Sequence, residues 1–180
     1  MEQLKMHWKN DGRAVAYPAV TAGVEIVRFP ELSGAMDAWL DIVQYGLSEK
    51  REGPAYYRET MTALPHYSED KCFFVLENGR AVATLTVVCD YERREGLIHM
   101  VACREDARGR GYGTLLCRLA EYVLKDEGME TAHLKTDDWR LPAIKSYLRI
   151  GFTPDLSTED FCERWEKIYA AIGEIFLEEA

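Results

Sequence analysis

The feature that most constrains this chain is a glycine- and arginine-rich turn, residues 108–113, between a strand-like run and an amphipathic segment. The strand-like run covers residues 99–103, and apolar residues at helical spacing follow the turn. The first N–H groups of a helix lack intrahelical partners, and the helix dipole adds partial positive charge there. Glycines adopt positive φ and let an anion approach the main chain closely. The turn therefore predicts a phosphate or pyrophosphate site.

Two common phosphate loops do not match these letters. A Walker loop needs a Gly-Lys pair, which the sequence lacks, and a dinucleotide fingerprint needs glycine where Thr114 stands. The pattern that fits is R-x-x-G-x-G, carried by Arg108, Gly111 and Gly113. A second motif, A-I-x-x-Y-x-x-x-G-F, occupies residues 143–152. Together the two motifs resemble those of the GCN5-related N-acetyltransferase (GNAT) superfamily, over roughly residues 72–153.

Composition predicts a single domain, residues 1–180, that is large enough to bury a core. The apolar fraction is 47% and the charged fraction 29%, which is ordinary for a globular protein. No apolar run is long enough for a membrane helix, and the N-terminus lacks the apolar centre of a signal peptide. The five cysteines are scattered and show no C-x-x-C spacing, which predicts reduced thiols in a cytoplasmic protein.

The formal net charge of −9 disfavours a nucleic-acid binder, because phosphate contacts need Lys and Arg. Arginines nevertheless cluster around the glycine-rich turn, at positions 104, 108, 110 and 118. This local excess of positive charge fits a polyanionic cofactor better than a duplex. An acidic protein also attracts cationic substrates such as amines.

Sequence patterns predict the order of the helices and strands. Residues 1–23 show no clear periodicity and are predicted to be irregular, and a strand over 24–29 precedes two helices, one capped by Ser33 and one over 54–64. A hairpin with its turn at Asn78-Gly79 is predicted between strands 72–77 and 80–89. Two further strands, 96–103 and 131–136, flank a helix that ends near Gly128. A helix over 141–150 follows. This order predicts a sheet of mixed direction with helices on both faces. The resemblance implies an α/β (α+β), GNAT-like fold whose central sheet is mostly antiparallel.

Residues 156–180 depart from the family pattern, in which another pair of strands usually ends the chain. Apolar residues recur here at helical spacing, which predicts a C-terminal helix in place of the usual last strands, with one short strand near 152–154. Such a helix could close the site or mediate a homodimer. Its apolar face comprises Phe161, Trp165, Ile168, Ile172 and Phe176.

The resemblance implies acetyl-CoA as the cofactor and no metal. The turn would bind the pyrophosphate, and the main chain of the preceding strand, which splays from its neighbour in this family, would bind the pantetheine arm. The alternatives are a solvated surface turn and a strand that is merely core. The cofactor-binding residues implied by the resemblance are Val101, Ala102, Cys103, Arg108, Gly109, Arg110, Gly111, Tyr112, Gly113 and Thr114.

Two residues are candidates for proton transfer. Tyr147 stands at the family position of a general acid that protonates the CoA thiolate, a role suited to a phenol with a pKa near ~10; alternatively it only packs on its helix face. His99 stands where the serotonin N-acetyltransferase branch has a histidine, and it is the candidate general base, acting through water. The glutamate that other branches use is replaced by Leu97. Strand parity places His99 with Val101 and Cys103, and a core histidine is the alternative.

Five further positions bear on the chemistry. Asp137 and Asp138 follow the strand over 131–136, where their carboxylates would hold a substrate ammonium or cap the next helix. Trp139 and Arg140 stand where many family members carry an asparagine. Cys103 lies close to the expected thioester and could carry the acyl group, although enzymes of this family generally transfer it directly.

The main functional prediction is transfer of an acetyl group from acetyl-CoA to a small-molecule primary amine by direct attack, with no nucleic-acid or membrane partner. One alternative is a non-catalytic acyl-CoA-binding or regulatory module on the same fold. Another is an enzyme that transfers a different acyl group or acetylates a protein lysine. The sequence carries no motif that identifies the acceptor.

Overall fold

A computed structural model of the protein describes residues 2–48 and 50–178, with the side chains of 174–178 excepted. Within these residues seven strands form one sheet in the order β2-β3-β4-β5-β6-β1-β7. The strands are β1 (Leu4–Lys9), β2 (Val24–Arg28), β3 (Cys72–Glu77), β4 (Arg80–Asp90), β5 (Glu95–Cys103), β6 (Thr131–Thr136) and β7 (Thr153–Pro154). The helices are α1 (Ala35–Val43), α2 (Pro54–Tyr57), α3 (Tyr112–Asp126), α4 (Leu141–Arg149) and α5 (Glu159–Glu178).

Neighbouring strands of the sheet are antiparallel except β5 and β6, which run parallel. This confirms the predicted mixed, mostly antiparallel sheet. The β5–β6 pairs are confined to the start of both strands, at Glu95–Thr131, Gly96–Ala132 and Leu97–His133. Beyond them no residue pair joins the two strands, both of which lie wholly within the described residues. The second half of β5 therefore presents an open edge toward β6.

A β-bulge interrupts β5 at Met100, whose φ is 53°. His99 pairs with Thr86 and Ala102 pairs with Thr84, so two residues of β5 lie opposite a single residue of β4. The extra residue reverses the alternation of side chains. The prediction that His99 shares a face with Val101 and Cys103 is therefore wrong, because that prediction assumed an uninterrupted strand.

Helices cover both faces of the sheet, as predicted, and a hydrophobic core lies on each face. The larger core lies on the face that carries α3, α4 and α5, and the smaller core lies on the face that carries α1 and α2. Val101 and Cys103 border the larger core, whereas Met100 and Ala102 belong to the smaller one. The second half of β5 is thus held between two hydrophobic layers, which fixes the position of its open edge.

The prediction of an irregular segment over residues 1–23 is wrong for its first part. Leu4–Lys9 forms β1, which pairs with β6 on one side and β7 on the other. Leu4, Met6 and Trp8 are buried, and this period of two packs one face of the strand on the core. Residues 10–23 contain no helix or strand. The short β7 confirms that one strand remains near 152–154.

The C-terminal helix is confirmed as α5, and residues 179 and 180 lie outside the described residues. Its first turn is capped by Thr158, whose Oγ1 accepts a hydrogen bond from the Phe161 N–H at 3.2 Å. Phe161, Trp165, Ile168 and Ile172 are buried in the chain's own larger core, while the Phe176 side chain lies outside the described residues. The described part of this face is therefore not available to a second copy of the chain.

The helical pair after β2 differs in detail from the prediction. Gly34, at a left-handed φ of 73°, precedes α1, so Ser33 is not its cap. The α2 helix passes into a π-helical turn, Arg58–Thr62. Among the described residues no helix combines the length and apolar character required to span a bilayer.

Candidate cofactor groove and active site

A cavity of about 640 Å³ opens where β5 diverges from β6, between the first turn of α3 and α4. All the predicted cofactor-binding residues except Arg110 line it, namely Val101, Ala102, Cys103, Arg108, Gly109, Gly111, Tyr112, Gly113 and Thr114. Tyr147 lines the same cavity from α4. The fold thus brings the two sequence motifs together around one space, although they lie on different helices.

The glycine-rich loop leaves its main chain accessible from this cavity. Gly109 and Gly111 have φ values of 77° and 85°, and Gly111 precedes the first residue of α3 without any side-chain cap. A Cβ atom added at Gly109, Gly111 or Gly113 would meet nothing within 4 Å. The space beside the loop is therefore open. A helix N-terminus of this kind offers N–H groups and partial positive charge to an anion.

The two arginines of the loop point in different directions. The Arg108 guanidinium lines the cavity and donates a hydrogen bond from Nη2 to the carbonyl oxygen of Tyr45, at 2.6 Å. Arg110 instead donates to both carboxylate oxygens of Glu77, at 2.8 and 2.6 Å, and does not line the cavity. The Tyr112 hydroxyl also donates to Glu77, at 2.7 Å. The structure therefore separates Arg110 from the rest of the predicted cofactor-binding set.

The lining of the cavity is cationic in a chain with a net charge of −9. Arg108, Arg140, Lys145 and Arg149 contribute to it, and no Asp or Glu is among the lining residues, all of which are described. Positive charge concentrated in a concave site raises the local concentration of anions. An open helix N-terminus, an unpaired strand edge and this charge together fit the pyrophosphate and the amide-bearing arm of a CoA thioester.

Tyr147 is 3% exposed, and its ring packs on Phe152 with 6.3 Å between centroids. Burial, together with the nearby Cys117 thiol, raises the pKa of Tyr147 above its usual value of 10, and the guanidinium of Arg140 acts in the opposite direction. A phenol with a raised pKa keeps its proton at neutral pH. Tyr147 can therefore serve as a proton donor and not as a base.

His99 lies on the other face of β5, toward the π-helical turn that follows α2, and is not among the cavity-lining residues. Its Nε2 is 3.0 Å from the carbonyl oxygen of Thr60. Because a carbonyl only accepts, Nε2 carries the hydrogen, and in the neutral ring Nδ1 is left as a proton acceptor. Burial lowers the pKa of His99 below 6.5, and the bond to Thr60 partly offsets this. The imidazole is therefore neutral at physiological pH.

Asp137 and Asp138 do not line the cavity. Asp137 accepts a hydrogen bond from Gln3 Nε2 at 3.1 Å, and Asp138 forms an ion pair with Arg164 of α5. The Arg164 guanidinium holds the pKa of Asp138 below its usual range. Neither side chain caps α4. The capping alternative is therefore wrong, because Arg164 and Gln3, both distant in sequence, bind these carboxylates. Their role in holding a substrate ammonium stays a prediction.

Arg140 and the loop after α1 also border the cavity, and the sequence patterns assigned a role to neither of them. Arg140 Nη2 donates to the carbonyl oxygen of Val101 at 2.9 Å, across the opening between β6 and β5. The loop after α1 reaches the cavity through Tyr45 and Gly46, and a Cβ at Gly46 would lie 3.6 Å from Trp139 and 3.7 Å from Arg108. Arg140 could be singled out from the sequence because many family members carry an asparagine in this region, whereas no sequence pattern indicated Tyr45. Among the described residues no group of three or more His, Cys, Asp or Glu side chains could hold a metal ion.

Comparison with known proteins identifies the family. The family model described as "Acetyltransferase (GNAT) family" matches residues 39–152, well over half of the chain. The chain therefore belongs to the GNAT acetyltransferase family, whose enzymes are acyltransferases that use acetyl-CoA. The matched range includes both the glycine-rich loop and Tyr147.

Individual relatives are more distant. A mycothiol acetyltransferase of Corynebacterium jeikeium (strain K411) is 33% identical over 63 residues, which is 35% of this chain and 18% of that protein. A GCN5-related N-acetyltransferase from Sphaerobacter thermophilus superposes with a TM-score of 0.67 at 18% identity, over 86% of this chain and 50% of the other. The ribosomal-protein-S18-alanine N-acetyltransferase from Escherichia coli superposes with a TM-score of 0.59 at 18% identity, over 72% of this chain and 77% of the other. This chain thus spans half or less of the first two proteins, and the superpositions show a shared fold.

Proposed function

We propose that this protein transfers an acetyl group from acetyl-CoA directly to the primary amine of a small molecule. The observation that carries the proposal is the single cavity that unites the open N-terminus of α3, the unpaired edge of β5 and Tyr147. Acetyl-CoA supplies the activated thioester carbon that the amine attacks. The rest of the proposal concerns what the residues of this chain do.

The loop and the strand edge hold and orient the donor. The main-chain N–H groups over 109–114 bind the pyrophosphate, with Arg108 beside them. The main chain of Val101, Ala102 and Cys103 binds the pantetheine arm as an additional strand would. Both sets of groups are positioned by backbone geometry and therefore need little reorganisation on binding.

Tyr147 donates its hydroxyl proton to the departing sulfur as the carbon–sulfur bond breaks. Its burial keeps the phenol protonated, and Arg140 stabilises the negative charge that develops on the phenolic oxygen. Cys103 lies in the same cavity, but burial raises the pKa of its thiol, which disfavours the thiolate that a covalent route would need.

His99 accepts the proton that the attacking amine loses. The ring is neutral, and Nδ1 is its available nitrogen because Nε2 is committed to Thr60. A water molecule would link this nitrogen to the amine, and we therefore place the acceptor on the face of β5 that carries His99. The five free cysteines support a reducing compartment, and we place the enzyme in the cytoplasm.

The test is release of CoA from acetyl-CoA in the presence of arylalkylamines, polyamines, amino acids and a lysine-containing peptide. We expect turnover with at least one small amine. Tyr147→Phe should lower kcat by about 100-fold or more while the Kd for acetyl-CoA stays unchanged. The matched control is Tyr169→Phe, which removes the same hydroxyl from an exposed position on α5 and should leave kcat unaltered.

Two results would overturn the proposal. Acetyl-CoA binding without turnover of any amine or peptide would indicate a binding module on the same fold. Turnover confined to the peptide would replace the small-molecule acceptor with a protein lysine.

A further inference from the structure

The cavity contains more positive charge than the pyrophosphate loop needs. A pyrophosphate is matched by the loop N–H groups and Arg108, as proposed above. CoA differs from simpler pantetheine thioesters in carrying a further phosphate on the 3′ oxygen of its ribose. Recognition of this phosphate would require further cations of the cavity lining close to the pyrophosphate loop.

Lys145 and Arg149 lie four residues apart on α4, so their side chains share one face of the helix. Both line the same cavity as Gly113 and Thr114 in the first turn of α3. Because α4 packs against α3, the two cations border the same space as the glycine-rich loop. No carboxylate among the lining residues neutralises them from the cavity side. Each has an interaction partner in the structure, which a phosphate would join or replace.

We propose that Lys145 and Arg149 form the subsite for the 3′-phosphate of CoA. The protein would then select free acyl-CoA over acyl groups carried on phosphopantetheine, which lacks this phosphate. Arg149 provides a guanidinium fork for two phosphate oxygens, and Lys145 provides a second cation from the more buried side. This inference rests on the proposed binding of acetyl-CoA and adds the donor specificity of the same site.

A cation in the last turn also stabilises a helix, so loss of binding alone would not identify a phosphate contact. The readout is therefore the ratio of two Kd values, for acetyl-CoA and acetyl-dephospho-CoA, measured by calorimetry on each protein. The wild type should bind acetyl-dephospho-CoA about 10-fold to 100-fold more weakly than acetyl-CoA, the range for hydrogen bonds to charged groups. Arg149→Gln and Lys145→Gln should each reduce this ratio, and the double variant should bring it close to one.

The matched control is Arg118→Gln, which makes the same charge change at an exposed position of α3 outside the cavity and should retain the wild-type ratio. Lys145 is buried, so if Lys145→Gln does not fold, Arg149→Gln alone decides the result. A wild type that binds both donors equally, or a ratio that survives in Arg149→Gln, overturns the inference while the proposed function stands. Failure of the wild type to bind either donor overturns both.

Discussion

The substitution Gly96→Ala tests how the apex of the cleft between β5 and β6 is built. Gly96 pairs with Cys89 of β4 and Ala132 of β6, immediately before the two parallel strands separate. A Cβ at this position would lie 2.2 Å from Leu124 Cδ2 and 3.3 Å from Ala132 Cβ. Leu124 is a fully buried residue of α3, so the end of its side chain has no free space to move into, and Ala132 belongs to the neighbouring strand.

Two opposing effects set the magnitude. Overpacking of a core costs about 1–3 kcal/mol. Replacement of glycine by alanine restricts the unfolded chain and returns about 0.4–1 kcal/mol. The net expectation is a loss of about 1–2 kcal/mol in the free energy of unfolding, measured by urea titration. This corresponds to a fall of about 2–8 °C in Tm for a chain of this size.

Gly173→Ala is the matched control, because its Cβ would meet nothing within 4 Å and its backbone lies in α5. The same chemical change should there stabilise the protein by about 0.5–1 kcal/mol. Opposite signs for the two variants would confirm the reasoning. A Gly96→Ala protein as stable as the wild type would refute it, since β5 and β6 would then not be packed as tightly as the distances indicate.

Three further predictions concern the site and its supports. Burial lowers the pKa of His99, so the unfolded chain takes up a proton before the folded one as the pH falls through 6.5. The free energy of unfolding should therefore decrease as the pH falls through this range. Urea titrations at neutral and mildly acidic pH should show a smaller decrease for His99→Gln than for the wild type. Arg164→Leu should lower the free energy of unfolding by about 2–3 kcal/mol, because it leaves Asp138 without its partner, whereas exposed Lys167→Leu should change little. Gly111→Ala places a side chain at a φ of 85°, so it should lower the free energy of unfolding by about 1–2 kcal/mol and also weaken acetyl-CoA binding in calorimetry. Gly34→Ala, at a φ of 73°, should lower the free energy of unfolding without changing acetyl-CoA binding.

Patterns with a local physical cause were predictable from the letters. The hairpin turn at Asn78 and Gly79 has φ values of 51° and 80°, as a turn that needs two left-handed residues requires. The apolar stripe of α3 and the termination of the helix before Gly128, at a φ of 72°, follow similar rules. The strand Leu4–Lys9 also carried a readable alternation that the prediction overlooked. In each case the determinant lies within a few residues of the feature.

Features that depend on distant partners were not predictable in this way. Asp138 is bound by Arg164, which lies 26 positions away in the sequence. Arg110 forms hydrogen bonds with Glu77, 33 positions away, and therefore does not line the cavity. The face of His99 is set by a bulge at Met100, which the run of residues 99–103 does not mark. The register of β4 against β5 in the folded protein determines on which face His99 lies.

The measurement that tests the central claim most directly is calorimetric titration of the protein with acetyl-CoA, beside Arg108→Glu. The account predicts a Kd in the range of about 1–100 μM for the wild type. It also predicts loss of binding in the variant, whose introduced carboxylate would repel the pyrophosphate from the cavity. Arg118→Glu, outside the cavity, should bind as the wild type does. Absence of binding at about 1 mM acetyl-CoA, in a protein that unfolds cooperatively on heating, would contradict the assignment of this groove to a CoA thioester.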